Sequence, residues 1–433
     1  MSDPLKVAIA GLGTVGVGTI EVLTRHAALI ASRCGRQIIV TAVSARDKSK
    51  DRGVDLSSYN WFDDPVVMAT EADADVIVEL IGGSSGTALN LANAAFAAGR
   101  HVVTANKALV AEVGTELAFS AEKAGKTLAY EAAVAGGIPI IKALREGLAG
   151  NDIKRVIGIL NGTCNYILST MEDTGRDFAD VLKDAQDLGY AEADPGFDID
   201  GVDAAHKLAI LASLSFGTKV SFKDVHIEGI RTISALDFAY ASDLGYRIKL
   251  LGLAGRTEDG VYQRVHPCLI DQEGPLASVD GSFNAVIAEG DFVGRSVYEG
   301  RGAGAGPTAS AVVADIIDIA ANRFTPPLGV PAEKLVDLKP VTIEQHHGAF
   351  YLRLKVVDRT GVFADIGSTF RDHNISMESI LQRDHDDDGN AYVVIVTHAV
   401  KESDLRAALA ALKANAAMVE SPQVIRIENV WGE

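Results

Sequence analysis

The sequence predicts an α/β chain in three parts: a doubly wound parallel sheet, an α+β domain and a small C-terminal βαββαβ unit. Three observations carry this reading. Short apolar runs alternate with helical patterns through the first third, as in parallel strands joined by right-handed crossovers. Beyond about residue 151, strand-like runs at 248–254, 263–270 and 283–288 suggest an antiparallel or mixed sheet. Finally, a Pro-rich stretch at 324–331 precedes a strand–helix–strand–strand–helix–strand order over 350–428. The parts are placed at residues 1–150, 151–322 and 349–433, with a linker over 323–348.

Composition narrows the function. With 433 residues, the chain is long enough for two or three cores. A net charge of −18, with no basic run to offset it, argues against nucleic acid or an anionic membrane as partner. No segment has the apolar length of a transmembrane helix. Three dispersed cysteines, Cys34, Cys164 and Cys268, suggest neither a disulfide framework nor a metal cluster. A cytoplasmic enzyme is the expectation.

Residues 5–10 read as a buried strand that runs into Gly11-Leu12-Gly13-Thr14-Val15-Gly16, a G-x-G-x-x-G opening a helical pattern to about residue 30. In this context Gly11 permits the tight turn, Gly13 lets a pyrophosphate approach, and Gly16 lets helix and strand pack. The helix N-terminus then holds the anion, as in a Rossmann-type dinucleotide site. At the end of the second strand, where an NAD site places an acid, Ser44-Ala45-Arg46 stands instead. Arg46 suits a 2′-phosphate, which points to NADP, with NAD as the alternative. Lys107 follows the strand 101–104, so it lies at the carboxyl end of the sheet, where ligands gather.

Residues 189–207, GYAEADPGFDIDGVDAAHK, crowd acids around one lysine. Asp203 and Lys207 lie four apart on a helix whose second half is apolar on every side. Charges carried into the protein on such a helix need partners or a task. An EF-hand is excluded, because counting from Asp198 puts Asp203 and Ala209 where Gly and Glu are required. Cys164 lacks a basic neighbour and reads as a packed thiol. The glycine-rich stretch 300–308, just before a helix, allows close approach of a ligand.

GLGTVG, TANKALVA, EAAVAGGIPI, NGTCNYIL, GYAEADPGFDIDGVDAAHK and GRGAGAGPTA, in this order, resemble homoserine dehydrogenases over about residues 5–325. The resemblance implies NAD(P)H-dependent reduction of L-aspartate 4-semialdehyde to L-homoserine, on the route to threonine, methionine and isoleucine. It makes Lys207 the proton donor, with Asp203 and Lys107 beside it in the catalytic group. Glu192, Asp203 and Asp198 become substrate-binding acids. Lys107, Gly189 and Gly304 join the glycine loop and Arg46 as cofactor contacts. Glu131, Val134, Gly136 and Ile138 would hold a monovalent cation, sodium. Cys164 stands where the family commonly has Thr. The chemistry agrees: hydride arrival builds negative charge on the aldehyde oxygen, and an ammonium there stabilises it and supplies the proton.

The C-terminal VVDRTGVFADIGSTFRDHNISMESI resembles an ACT domain, a module that senses amino acids. Gly361 and Asn374 lie where effector contacts would fall between paired modules, which suggests threonine as regulator and a homodimer or homotetramer. A regulator that binds NADP and an amino acid without catalysis is the competing class, and another NADP-linked amino-acid dehydrogenase is a nearer rival.

Overall fold

A computed structural model of the chain describes residues 3–431. The N-terminal third forms a six-stranded parallel sheet from β1 (Leu5–Ala10), β2 (Ile38–Ser44), β3 (Asn60–Phe62), β4 (Val76–Glu79), β5 (His101–Thr104) and β6 (Leu128–Ala129). Their order is β3-β2-β1-β4-β5-β6. It reverses direction between β1 and β4, which opens a crevice at the carboxyl ends of those two strands. Both faces of the sheet are covered, so its strands are apolar throughout: Val7, Ile9, Val76 and Val78 are fully buried.

One covering helix comes from far along the chain. Ala305–Ala320 buries Val312, Ile316 and Ile319 against the same strands as Ile20 and Leu23 of Thr14–Arg25. Gly18 makes the close crossing possible, since a Cβ there would lie 3.0 Å from the Ala305 carbonyl oxygen. The expected boundary between residues 150 and 151 therefore does not divide the packing. The single helix expected over 15–30 is broken at His26 into Thr14–Arg25 and Ala27–Cys34.

The remaining strands are β7 (Ile153–Ile159), β8 (His226–Ile227), β9 (Tyr246–Thr257), β10 (Gly260–Asp271), β11 (Phe283–Gly290), β12 (Gly294–Arg301), β13 (His347–Val357), β14 (Met377–His385), β15 (Asn390–Thr397), β16 (Val400–Lys401) and β17 (Gln423–Ile427). They form one sheet of 11 strands, ordered β12-β11-β7-β9-β10-β17-β13-β15-β14, with β8 and β16 beside β10 and β13. The last strand, β17, pairs antiparallel with β13 and parallel with β10, at Cys268↔Arg426 and Leu269↔Ile427. The C-terminal unit thus continues the middle sheet instead of hanging from a linker. Residues 323–348 are packed as well: Leu328 and Ala332 are buried, and the Ala332 N–H donates to Glu122.

Candidate active site

Helix Val202–Phe216 is the centre of the site. Gly201 starts it in the left-handed region at φ 86°, and Gly217 ends it likewise at φ 63°. Nearly every residue between is buried, as its all-round apolar pattern requires, and with them go Asp203 at 2% and Lys207 at 8% exposure. Their burial is compensated by pairing. Lys207 Nζ donates to Asp203 Oδ2 and to the Leu160 carbonyl, each at 2.7 Å. Lys107 forms an ion pair with the other Asp203 oxygen. Asp203 therefore lies between two ammonium groups.

These contacts set the charges. Burial alone would raise the Asp203 carboxyl, but Lys207 and Lys107 together hold it well below the usual carboxylate range. Burial pulls Lys207 below its ordinary value, and Asp203 opposes that fall. Asp198 is raised by burial and by the neighbouring Asp203. Asn161 Nδ2 donates to both Asp198 Oδ1 and Asp203 Oδ2 at 2.8 Å, while its Oδ1 caps helix Gly162–Thr174 at the Cys164 N–H. From sequence alone, Asn161 stands only as an N-cap residue type just before a helical pattern. A capping asparagine uses its oxygen and leaves two N–H donors to place, and that was the available signal. Cys164 is fully buried and its thiol is pushed well up by burial, as suits packing.

Lys107 is aimed by a chain of buried polar groups. Glu79, wholly inaccessible, accepts from the Ile81 and Gly82 N–H groups and from Thr104 Oγ1. Thr104 Oγ1 in turn accepts from the Asn106 N–H. Asn106 caps helix Lys107–Lys123 at Leu109 N and donates to the Gly83 carbonyl. The ends of β4 and β5 are so tied together, and Lys107 leaves the first helical turn towards Asp203. Its Nζ also sits 5.4 Å from the centre of the Phe197 ring. Two expected partners lie outside this hydrogen-bonded group. Glu192 is exposed on the loop after helix Phe178–Asp187, and its carboxylate bonds none of these groups. Gly189 turns that loop at φ 76°.

The glycine loop has the geometry of a pyrophosphate cradle. A Cβ on Gly11 (φ 100°) would strike the Leu80 carbonyl oxygen at 2.4 Å, and one on Gly16 would lie 2.0 Å from the Gly11 oxygen. Gly13 faces open space and caps the helix that begins at Thr14. Leu12 is buried beneath the loop, and Val15 is partly buried on the helix. A cleft of about 580 Å³ runs from Gly11, Leu12 and Gly13 past Arg46, Lys50 and Arg52 to Leu80 and Ile81. Arg52 is pinned to the carbonyls of Leu12, Asp47 and Lys50, whereas Arg46 is exposed at the cleft. Lys50 lines this cleft too, and Lys48 lies over Trp61.

Beside the site, Val134–Ile138 packs on the 300–306 loop: the Gly137 N–H donates to Arg301, and a Cβ on Gly136 would meet the Gly302 oxygen at 2.4 Å. Gly304, at φ 114°, starts helix Ala305–Ala320 from that loop. Both Glu131 oxygens accept backbone N–H groups, from Ile141 and Lys142 at 2.9 Å. Burial and the nearby Asp315 push Glu131 up to about 7. Among the described residues, no group of three or more His, Cys, Asp or Glu side chains could hold a metal.

Family models match this architecture part by part. The homoserine dehydrogenase NAD-binding domain matches residues 11–131, the homoserine dehydrogenase model 139–317 and the ACT domain 350–417. The chain is 47% identical to a homoserine dehydrogenase of Pseudomonas aeruginosa and 44% identical to one of Neisseria gonorrhoeae, covering 99% of each chain in both cases. The chain belongs to the homoserine dehydrogenase family. It is an oxidoreductase acting on a CH–OH group with NAD(P), and the sensor-only reading is not favoured. A solved homoserine dehydrogenase from Thiobacillus denitrificans superposes with TM-score 0.93 at 44% identity, covering 99% of both chains. A hyperthermophilic archaeal homoserine dehydrogenase in complex with NADPH does so with TM-score 0.63 at 27% identity, over 75% of this chain and 99% of that one. No helix among the described residues is long and apolar enough to cross a membrane.

Proposed function

We propose that this member of the family reduces L-aspartate 4-semialdehyde to L-homoserine, with Lys207 as the acid and NADPH as the preferred cofactor. The observation that carries this is the Lys107–Asp203–Lys207 arrangement at the end of the parallel sheet, in which Asp203 and Lys207 are buried and Lys107 is half-buried. NADPH, when bound in the glycine-loop cleft, supplies the hydride. The Lys207 ammonium has three donors and spends two on Asp203 and the Leu160 carbonyl. The third remains for the carbonyl oxygen as negative charge develops there, and this donor then gives up its proton. Asp203 keeps Lys207 charged and oriented. Asp198 and Glu192 offer anions to the α-ammonium of the substrate, and Lys107 lies between cofactor and substrate. Steady-state NADPH consumption is expected with L-aspartate 4-semialdehyde and to be far weaker with succinate semialdehyde, which lacks the α-ammonium. Equal rates would remove the acids from recognition.

Arg46 supports the cofactor preference, because it is exposed at the cleft with no ion-pair partner among the described residues. Replacing Arg46 with Ala is expected to raise KM for NADPH about tenfold and leave KM for NADH nearly unchanged, the loss of one charge-assisted contact. Equal losses for both cofactors would contradict the assignment.

Sodium and threonine complete the proposal. Glu131, Val134, Gly136 and Ile138 lie in one short stretch beside the 300–306 loop, and Glu131 forms no ion pair among the described residues; a carboxylate with backbone carbonyls suits a hard monovalent cation. Gly361 and Asn374 sit at opposite ends of helix Val362–Asp372, at φ 93° and 57°. Eleven helical residues span about 16 Å, so one small effector touching both needs two modules, in keeping with a homodimer or homotetramer. One thermal-shift experiment tests both ligands. Sodium chloride against choline chloride, and L-threonine against buffer, are each expected to raise the midpoint, by about 2.7 kcal/mol of stabilisation at a hundredfold excess over Kd. No shift with either ligand removes that ligand from the account.

A further inference from the structure

The junction between the C-terminal module and the middle sheet is built from charges, and it lies directly behind the acidic loop. Arg426 on β17 is 3% exposed. Its guanidinium donates from Nη1 to Glu228 Oε2 at 2.8 Å and from Nη2 to Glu228 Oε1 at 2.9 Å, a bidentate pair. The same group donates to Glu402, at the start of helix Glu402–Lys413, at 2.8 and 2.6 Å. One arginine thus joins a helix and a strand of the module to a residue of the middle domain. His226 Nε2 lies 2.7 Å from Glu228 Oε1, and the Glu228 N–H donates to Val265 of β10 at 2.7 Å. Glu228 has little freedom.

The residues that follow Glu228 grip the acidic loop. The Ile230 N–H donates to the Ile199 carbonyl at 2.9 Å. Arg231 donates to both Asp200 oxygens, at 2.5 and 3.0 Å. Gly229 passes so close that a Cβ there would lie 2.4 Å from the Ile199 oxygen and 2.6 Å from the Asp200 Cα. Asp198, next in the chain, is bound by the same Asn161 that holds Asp203. A single peptide unit separates Asp198 from the clamped Ile199.

From this geometry we infer that Glu228 and Arg426 are positioning residues: the seating of the C-terminal module on the middle sheet sets where Asp198 stands for the substrate. The inference rests on the proposed role of Asp198 and goes beyond it, because it gives the module a route of contact to the substrate pocket that needs no domain rotation. Displacement of a binding group by a fraction of an ångström weakens substrate engagement while leaving the cofactor cleft, on the other sheet, untouched. A purely structural staple would behave otherwise, lowering stability without selecting between the two substrates.

Three variants of the full chain test this: Glu228→Gln, Gly229→Ala and Asp198→Asn. Glu228→Gln leaves Arg426 paired with Glu402, and Gly229→Ala pushes on the loop without touching the module. Both are expected to raise KM for L-aspartate 4-semialdehyde about tenfold or more, with KM for NADPH nearly unchanged. Asp198→Asn should show the same signature. If Asp198→Asn raises that KM and the other two variants only lower the melting temperature, the positioning role is overturned while the substrate role of Asp198 stands. If Asp198→Asn leaves KM unchanged, the role of Asp198 falls, and the inference with it.

Discussion

Replacing Lys207 with Ala is expected to cut turnover about a thousandfold while leaving NADPH affinity nearly intact. The variant loses the proposed acid and, with it, the charge proposed to meet the developing oxyanion. The glycine-loop cleft, by contrast, is lined by residues at and beyond the ends of β1, β2, β3 and β4, with none from this helix. Asp203 stays paired with Lys107 in the variant, so its charge is not left alone. Folding should survive, and a titration of NADPH fluorescence on the purified variant provides the control. Turnover within tenfold of the parent would take Lys207 out of the mechanism.

Asp203→Asn is expected to act in two ways at once. Removing one partner from a buried ion pair costs about 3–5 kcal/mol, because the charge left behind has lost its compensation. Here two ammonium groups, Lys107 and Lys207, lose the same partner, so the melting temperature should fall clearly at neutral pH. The gap between parent and variant should close in acid. A carboxylate held below its usual range contributes stability above its unfolded pKa and loses that contribution as pH falls through its folded pKa. The rate carries a second sign. Burial lowers Lys207 and Asp203 raises it, so without Asp203 the ammonium gives up its proton at lower pH. The alkaline limb of kcat should therefore move to lower pH. A limb that stays in place, or moves to higher pH, would contradict the coupling of the two residues.

How much of this was legible depended on distance along the chain. The glycine loop is a local signal, and each of its three glycines stands where its spacing implies, Gly11 and Gly16 against backbone oxygens and Gly13 open. Asp203 and Lys207 were legible because four residues separate them on a helix too apolar to lie at a surface. Lys107 was legible as a residue at a strand end, but its contact with Asp203 arises only when two helices pack. The pairing of β17 with β10 had no local signal at all: one register of two residue pairs between distant strands follows from tertiary packing, and so the module appeared separable. Helix Ala305–Ala320 was legible as a helix, but its attachment to the first sheet was not, because that depends on the small residues Gly18 and Ala309 meeting across the interface.

In the proposed reaction, hydride passes from the cofactor to the carbonyl carbon of L-aspartate 4-semialdehyde beside Lys207. This transfer is tested most directly by supplying NADPH deuterated at the transferable position and analysing the product by mass spectrometry. The expected product is L-homoserine carrying one deuterium at C4, with stoichiometric loss of NADPH. Unlabelled homoserine, or cofactor consumed with no homoserine formed, would contradict it.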